Sequence, residues 1–457
     1  MNYQEIEENL FQEKALLRMV ADDLGYPWDF PYFTNDNLVF FEKELQNLAR
    51  KIREYWIDKG IDAVKYMYKS PDKYKSYYTH SGSEVKYGYE RCLEPDFLEE
   101  RIHEDYSEWT GFTLLFSSAM SSITTILNMV NKVLKKKMVN GCFIGGYFES
   151  YNLLNNYNTF GTKIDIINDS SHLIKEKVEE LDFYILEPVK YNLELDITDL
   201  EGLLDKLNKM ESNKAVFLII DITLLGNSFD KQSILNALFG KENILVFFVK
   251  SGIKLDQYGF EFANCGMLSM YASIEQYNLV QKLEEYLKSF RATTGVGISG
   301  KDLSLLDFPS FGKDKVHSEK ILYNTYVLAK ELKLENDFIF QHIAHPTYKS
   351  ELSYAKSPMV FLRVNTSEES DCKFIIDYIR EKIKEFDLSI EVGNSFGFRQ
   401  TRVEYIKTLE KEPKFIIKIA PGCYRGLIFY KIIDTINYIS KFHSLSELKR
   451  KLKVNIF

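Results

Sequence analysis

The sequence predicts an α/β fold: a large domain built on a mainly parallel sheet covered by helices, followed by a smaller α+β C-terminal domain. Three observations lead there. Short apolar runs at CFIGG (142–146), KIDII (163–167), FYILE (183–187), AVFLIID (215–221) and ILVFFVK (244–250) read as buried strands. The segments between them are of helix length, which implies parallel strands with helices on both faces. After about residue 310 the texture changes to mixed helix and strand. A chain of 457 residues exceeds one compact core. It divides on this reading into an N-terminal helical segment and extended arm (1–105), a large domain (106–310) and a small C-terminal domain (311–457).

At the N-terminus, LFQEKALLRMV and LQNLARKIREYWI carry apolar residues three and four apart, as amphipathic helices do. Oligomer contacts are the simplest expectation for these first 60 residues. The stretch from about 67 to 95 is rich in Tyr, Ser, Lys and Gly without a period, and reads as an extended arm. Ile123, Ile126, Leu127, Val130, Val133 and Leu134 share one helical face. A helix is expected near 150–159, and others ahead of the strands at 183, 215 and 244. In the small domain SEKILYNTYVLAKEL and FIIDYIREKIKEF read as helices, and MVFLRVN, SIEVG and FIIKIA as strands.

Composition excludes several functions. The net charge of −8 gives no broad attraction to nucleic acid or to an anionic membrane. The run Lys135–Lys137 falls at a predicted helix end, where cations suit the dipole. No apolar run approaches the roughly 20 residues that span a bilayer. The five cysteines are scattered with no C-x-x-C pair, which argues against disulfides and structural zinc. With an acidic N-terminus unlike a signal peptide, the expectation is a cytoplasmic protein. His342 and His345 lack an evident third ligand, so no metal site is expected.

Parallel α/β sheets place their reactive loops at the strand C-termini, and those positions form a series. Ser117-Ser118-Ala119-Met120 opens a helix, whose free N–H groups suit a phosphate. Tyr147, after the 142–146 strand, is placed to lay its ring over a planar cofactor. Asp221 ends an apolar strand, where a buried carboxylate calls for a cation such as a protonated pyridine nitrogen. Lys254 follows the next strand, and an amine there suits a Schiff base. Each feature alone is commonplace. Their order and spacing set them apart.

With these residues in view, the chain resembles the Cys/Met-metabolism branch of the fold-type-I pyridoxal-phosphate (PLP) enzymes, which includes cystathionine synthases and lyases and methionine γ-lyase. Tyr89-Glu-Arg91-Cys-Leu-Glu94-Pro95 with Leu98-Glu99 is similar to the family's Y-x-R-x-x-N-P-T and its later Leu-Glu. The resemblance implies that Tyr89 and Arg91 reach the cofactor phosphate of a neighbouring subunit, hence a homodimer or homotetramer. Ser117–Met120 resembles the phosphate cup S-S-G-M, giving Ser118, Ala119 and Met120 phosphate contacts. Tyr147–Leu154 resembles Y-g-g-T-y-x-L-L, and Glu187-Pro188 sits at the E-x-P position. Asp221-Ile-Thr223 is similar to D-N-T, and Ser251-Gly-Ile-Lys254 to S-x-T-K. That implies Asp221 on the pyridine nitrogen, Thr223 and Ser251 beside the cofactor, and Lys254 as its covalent anchor. Ser395-Phe-Gly397 resembles S-L-G, beside the substrate carboxylate. The resemblance runs from about residue 87 to 425.

The sequence also departs from that pattern. Ile222 and Ile253 replace the family's Asn and Thr, and the Asn expected after Glu187 is missing, with Tyr191 and Asn192 nearby. The family's R-L-S-x-G, whose Arg clamps the substrate carboxylate, becomes Lys418-Ile-Ala-Pro-Gly422. Lysine supplies charge without the two-point grip. Either Lys418 takes the role, or Arg399, Arg402 or Arg425 does. The expected function is a PLP-dependent lyase or transferase acting on an amino acid by β/γ-elimination or replacement at a C–S or C–O bond. Lys254 would move protons and Tyr147 assist. Other PLP chemistry, such as transamination, and a non-catalytic relative are the alternatives.

Overall fold

The computed structural model describes residues 3–30, 37–72, 75–157, 161–167, 180–211, 214–408 and 412–454. Helices α1 (Tyr3–Asp23) and α2 (Leu38–Val64) open the chain. In α2 the buried positions Phe41, Leu45, Leu48, Ile52 and Trp56 recur at three- and four-residue spacing, so one stripe faces the core. Both helices pack on their own chain, in a hydrophobic core that also holds Leu305, Ile417 and Leu427. Trp56 donates its indole N–H to the Leu305 carbonyl at 2.8 Å, and Arg53 donates to the Phe260 carbonyl at 2.6 Å.

The large sheet has seven strands: β1 (Trp109–Phe116), β2 (Val139–Ile144), β3 (Thr162–Ile166), β4 (Phe183–Leu186), β5 (Val216–Asp221), β6 (Ile244–Ser251) and β7 (Gly266–Ser273). Their order is β1-β7-β6-β5-β4-β2-β3. All neighbours pair in parallel except β7, which is antiparallel to both β1 and β6. The sheet is buried on both faces, as helix crossovers demand. Along β5, Leu218 and Ile220 enter one apolar cluster while Phe217 and Ile219 enter the other, the period of two that a strand imposes.

Neither β1 nor β7 shows in the sequence as a continuous apolar run. Both carry polar residues inward: Thr113 and Ser269 face each other across the pair with hydroxyls 2.9 Å apart. A continuous apolar run, the signal for a buried strand, is therefore broken in each. The helix expected just before the 183–187 strand falls largely outside the described residues. The one expected near 150–159 is Phe148–Tyr157.

The small domain has a five-stranded sheet of order β8-β9-β12-β11-β10, with β8 (Phe340–Ala344), β9 (Val360–Val364), β10 (Glu391–Val392), β11 (Arg402–Lys407) and β12 (Phe415–Ala420). Helix α3 (Ala119–Leu134) follows β1 in the large domain, and α4 (Leu427–Ile439) follows β12. Among the described residues no helix is long and apolar enough to cross a membrane. The architecture is therefore α/β, with a mostly parallel seven-stranded sheet and a separate smaller sheet.

Candidate active site

Strands β1, β2, β4, β5 and β6 point the same way, so their C-terminal ends meet along one edge of the sheet. A cavity of about 560 Å³ lies there, closed on the far side by residues of the small domain. Ser118, Ala119, Met120, Tyr147, Asp221 and Thr223 line it from the large domain, together with Ser251 and Lys254. Ser395 and Lys418 line it from the small domain. A separation of nearly 300 residues in sequence is closed by the fold.

At the base, Ser118 caps α3 by accepting the Ser121 N–H at 3.1 Å, and the first helical residues, Ala119 and Met120, line the cavity. The Ser251 N–H donates to the Thr223 hydroxyl at 3.0 Å, tying the ends of β5 and β6 together. Thr223 in turn donates its N–H to Asp221 at 2.9 Å. No cation pairs with Asp221 among the described residues, and burial raises the pKa of its carboxyl.

Lys254 hydrogen-bonds the Ser395 hydroxyl, and its Nζ lies 5.7 Å from the Phe396 ring centroid. Burial holds its amine below the ordinary lysine range, the direction a nucleophilic amine needs. Ser395 sits at φ +83°, a left-handed conformation that a serine occupies only under constraint. Gly397 has the same φ, and a Cβ there would meet the Lys254 carbonyl oxygen at 2.2 Å. The turn 395–397 thus lies directly against the lysine.

Glu187 was visible in the sequence only as a motif position. Its carboxyl accepts N–H bonds from Gly146 (3.0 Å), Tyr147 (3.1 Å) and Tyr191 (2.8 Å), fixing the backbone on which Tyr147 stands. Burial, reinforced by the charge of Asp221, pushes it up to about 7. The Tyr147 ring meets Tyr191 edge-on at 5.7 Å. Glu261 and Glu404 also line the cavity and had no place in the sequence reading. Glu404 is revealed only by the register of β11 on β12, which sets it opposite Lys418.

Other candidates lie elsewhere. Arg399 is not at the cavity: it is buried behind the 395–399 turn, held by Glu13 of α1 and donating to the Tyr258 carbonyl at 3.0 Å. Arg425 is likewise turned away, 3.2 Å from Glu5. Arg402 does not line the cavity; it lies 3.4 Å from the Phe398 ring centroid and 3.6 Å from Glu261, which does. Tyr89 and Arg91 are exposed and do not line this cavity within one chain. His342 bonds Glu194 at 3.0 Å.

The cavity fits PLP on its own chemistry: a buried carboxylate with no cation among the described residues, a lysine with a depressed pKa and a helix N-terminus share one space. In architecture the chain matches solved structures with the fold-type-I PLP-enzyme fold. Among the solved structures that share this fold are a cystathionine gamma synthase and a methionine gamma lyase. Cystathionine gamma synthase from Xanthomonas oryzae pv. oryzae matches with TM-score 0.60 at 14% identity, covering 86% of this chain and 99% of that one. The protein metB from Corynebacterium glutamicum gives TM-score 0.57 at 16% identity, covering 85% and 98%. CalE6, a methionine gamma lyase from Micromonospora echinospora, gives 0.54 at 13%, covering 78% and 89%. No protein family's sequence profile matches the chain, and no curated protein matches it in sequence.

Proposed function

We propose that this protein is a PLP-dependent enzyme of the Cys/Met-metabolism type, acting on an amino acid by β/γ-elimination or replacement at a C–S or C–O bond. The observation that carries the reading is the placement of Lys254 and Asp221 on the walls of one cavity, the carboxylate lacking any cation among the described residues.

Ser118, Ala119, Met120 and Ser251 would hold the cofactor phosphate, Thr223 would lie beside the cofactor, Asp221 would meet its ring nitrogen and Lys254 its carbonyl carbon. When bound, PLP supplies an electron sink for a bond broken at the substrate Cα. Lys254 takes the Cα proton and returns it, a role suited to an amine whose pKa burial has lowered. Ser395 orients that amine through its hydroxyl. Tyr147, held by the Glu187 carboxyl through its backbone, would lie over the cofactor ring and assist a proton transfer.

A homo-oligomer completes the site in this reading, with Tyr89 and Arg91 of one copy on the phosphate held by another. Tyr89 is 57% exposed, which suits a surface reserved for a second subunit. A cytoplasmic location agrees with five unpaired cysteines.

The test is spectroscopic. Purified protein supplied with PLP turns yellow, and Lys254→Ala loses the visible band while keeping its fold by circular dichroism. A band that survives the substitution would sink the assignment.

A further inference from the structure

The four cations that the sequence offers as clamps for a substrate carboxylate are each occupied by a glutamate. Lys418 pairs with Glu404 at 2.6 Å, Arg402 with Glu261 at 3.6 Å, Arg399 with Glu13 and Arg425 with Glu5 at 3.2 Å. Two of these pairs reach the substrate cavity: Lys418, Glu404 and Glu261 line it, and Arg402 is held against Glu261.

The Lys418–Glu404 pair is built into the sheet. Lys418 on β12 and Glu404 on β11 stand directly opposite in an antiparallel ladder, so register fixes the contact. Their side chains are only 2% and 12% exposed. The Lys418 ammonium also lies 5.9 Å from the Tyr191 ring centroid. An arriving α-carboxylate would bring a second anion to an ammonium already neutralised, beside Glu404 and away from water. Like charges this close at a shielded wall repel strongly. A neutral carbonyl oxygen meets no such penalty, because an ammonium has three N–H donors and Glu404 uses one.

We infer that this cavity is built for a primary amine whose neighbouring carboxyl is masked, as an amide or ester, rather than for a free α-amino acid. The inference rests on the PLP reading above and narrows its substrate. Glu404 is the specificity-determining residue: it withdraws Lys418 from carboxylates while leaving it able to donate to a carbonyl.

The experiment uses the PLP-loaded protein and follows the change in visible absorbance as amines are added. The probes are matched pairs, each of a panel of L-amino acids beside its own amide and methyl ester. For pairs that produce a change, the amide or ester is expected to half-saturate at a concentration at least tenfold lower than the acid. Glu404→Gln, which removes the competing charge and keeps the shape, is expected to move that ratio at least tenfold toward the acid. Free acids that bind as well as their amides to the unmodified protein overturn the inference and leave the PLP reading intact. So does a ratio unmoved in a Glu404→Gln protein that is still yellow. A protein that takes up no PLP overturns both.

Discussion

The carboxylate of Glu13, near the start of the chain, grips the guanidinium of Arg399, 386 residues later, with an Nε–Oε1 distance of 3.1 Å. The pair is buried, and Glu13 also accepts a contact from the Cys423 thiol at 3.3 Å. Through it α1 braces the turn that carries Ser395 against Lys254. The N-terminal helices thus support a cavity-lining loop of their own chain.

Breaking a buried ion pair by removing one partner leaves the other charge stranded, typically at about 3–5 kcal/mol. Glu13→Met and Arg399→Met are each expected to lower stability in urea unfolding by that order. The double variant should recover much of the loss, since both charges leave together. Single losses far below that order would show that the helices hold on by apolar packing alone, and additive losses in the double variant that the two charges are not coupled.

Gly397 is set to be intolerant of a side chain. Its φ of +83° and the 2.2 Å approach of a Cβ to the Lys254 carbonyl leave no room for adjustment, because the obstruction is backbone. Gly397→Ala is expected to cost about 1–3 kcal/mol through the left-handed strain, before the clash is counted. It should also weaken PLP retention by displacing Lys254. A variant with wild-type retention and stability would contradict the contact.

Arg91 is exposed and outside the cavity of its own chain, so its removal should not affect the fold of one subunit. If it reaches a neighbour's phosphate, Arg91→Ala will raise the Kd for PLP at least tenfold while the melting temperature of cofactor-free protein stays put. An unchanged Kd would mean that the phosphate is held without it.

Glu42 supplies a pH signature in the fold itself. Fully buried, it accepts the Leu427 N–H at 2.6 Å at the start of α4, and burial raises its pKa from 4.5 to about 7. A raised carboxyl pKa means that the folded state keeps a proton the unfolded chain releases. Its contribution is complete below about 4.5, declines between there and about 7, and is absent above. The slope approaches about 1.4 kcal/mol per pH unit. Glu42→Gln should flatten this part of the stability profile, so that variant minus wild type rises from pH 4.5 to 7. Parallel profiles would show that Glu42 is ionised in the fold.

Much of the cavity's lining was legible because parallel sheets place their ligand-facing loops at strand ends, and strand ends show in the sequence as polar residues after an apolar run. Asp221 after VFLII and Lys254 after ILVFFVKS are of this kind. Residues that act from within a strand or a distant helix were not. Glu404 looks like any alternating charge on an exposed strand, and Arg399 like a free cation, until their partners are known.

By itself the sequence determined the α/β class, the parallel strands of the large sheet and the local segments that supply Ser118, Tyr147, Asp221 and Lys254, because hydrophobic periodicity and strand-end chemistry are local properties. Only the tertiary structure decided which charges are spent. The pairing of Lys418 with Glu404 depends on strand register, and that of Arg399 with Glu13 on helix docking. A charge's worth is set by its neighbours in space, and burial makes that dependence steep.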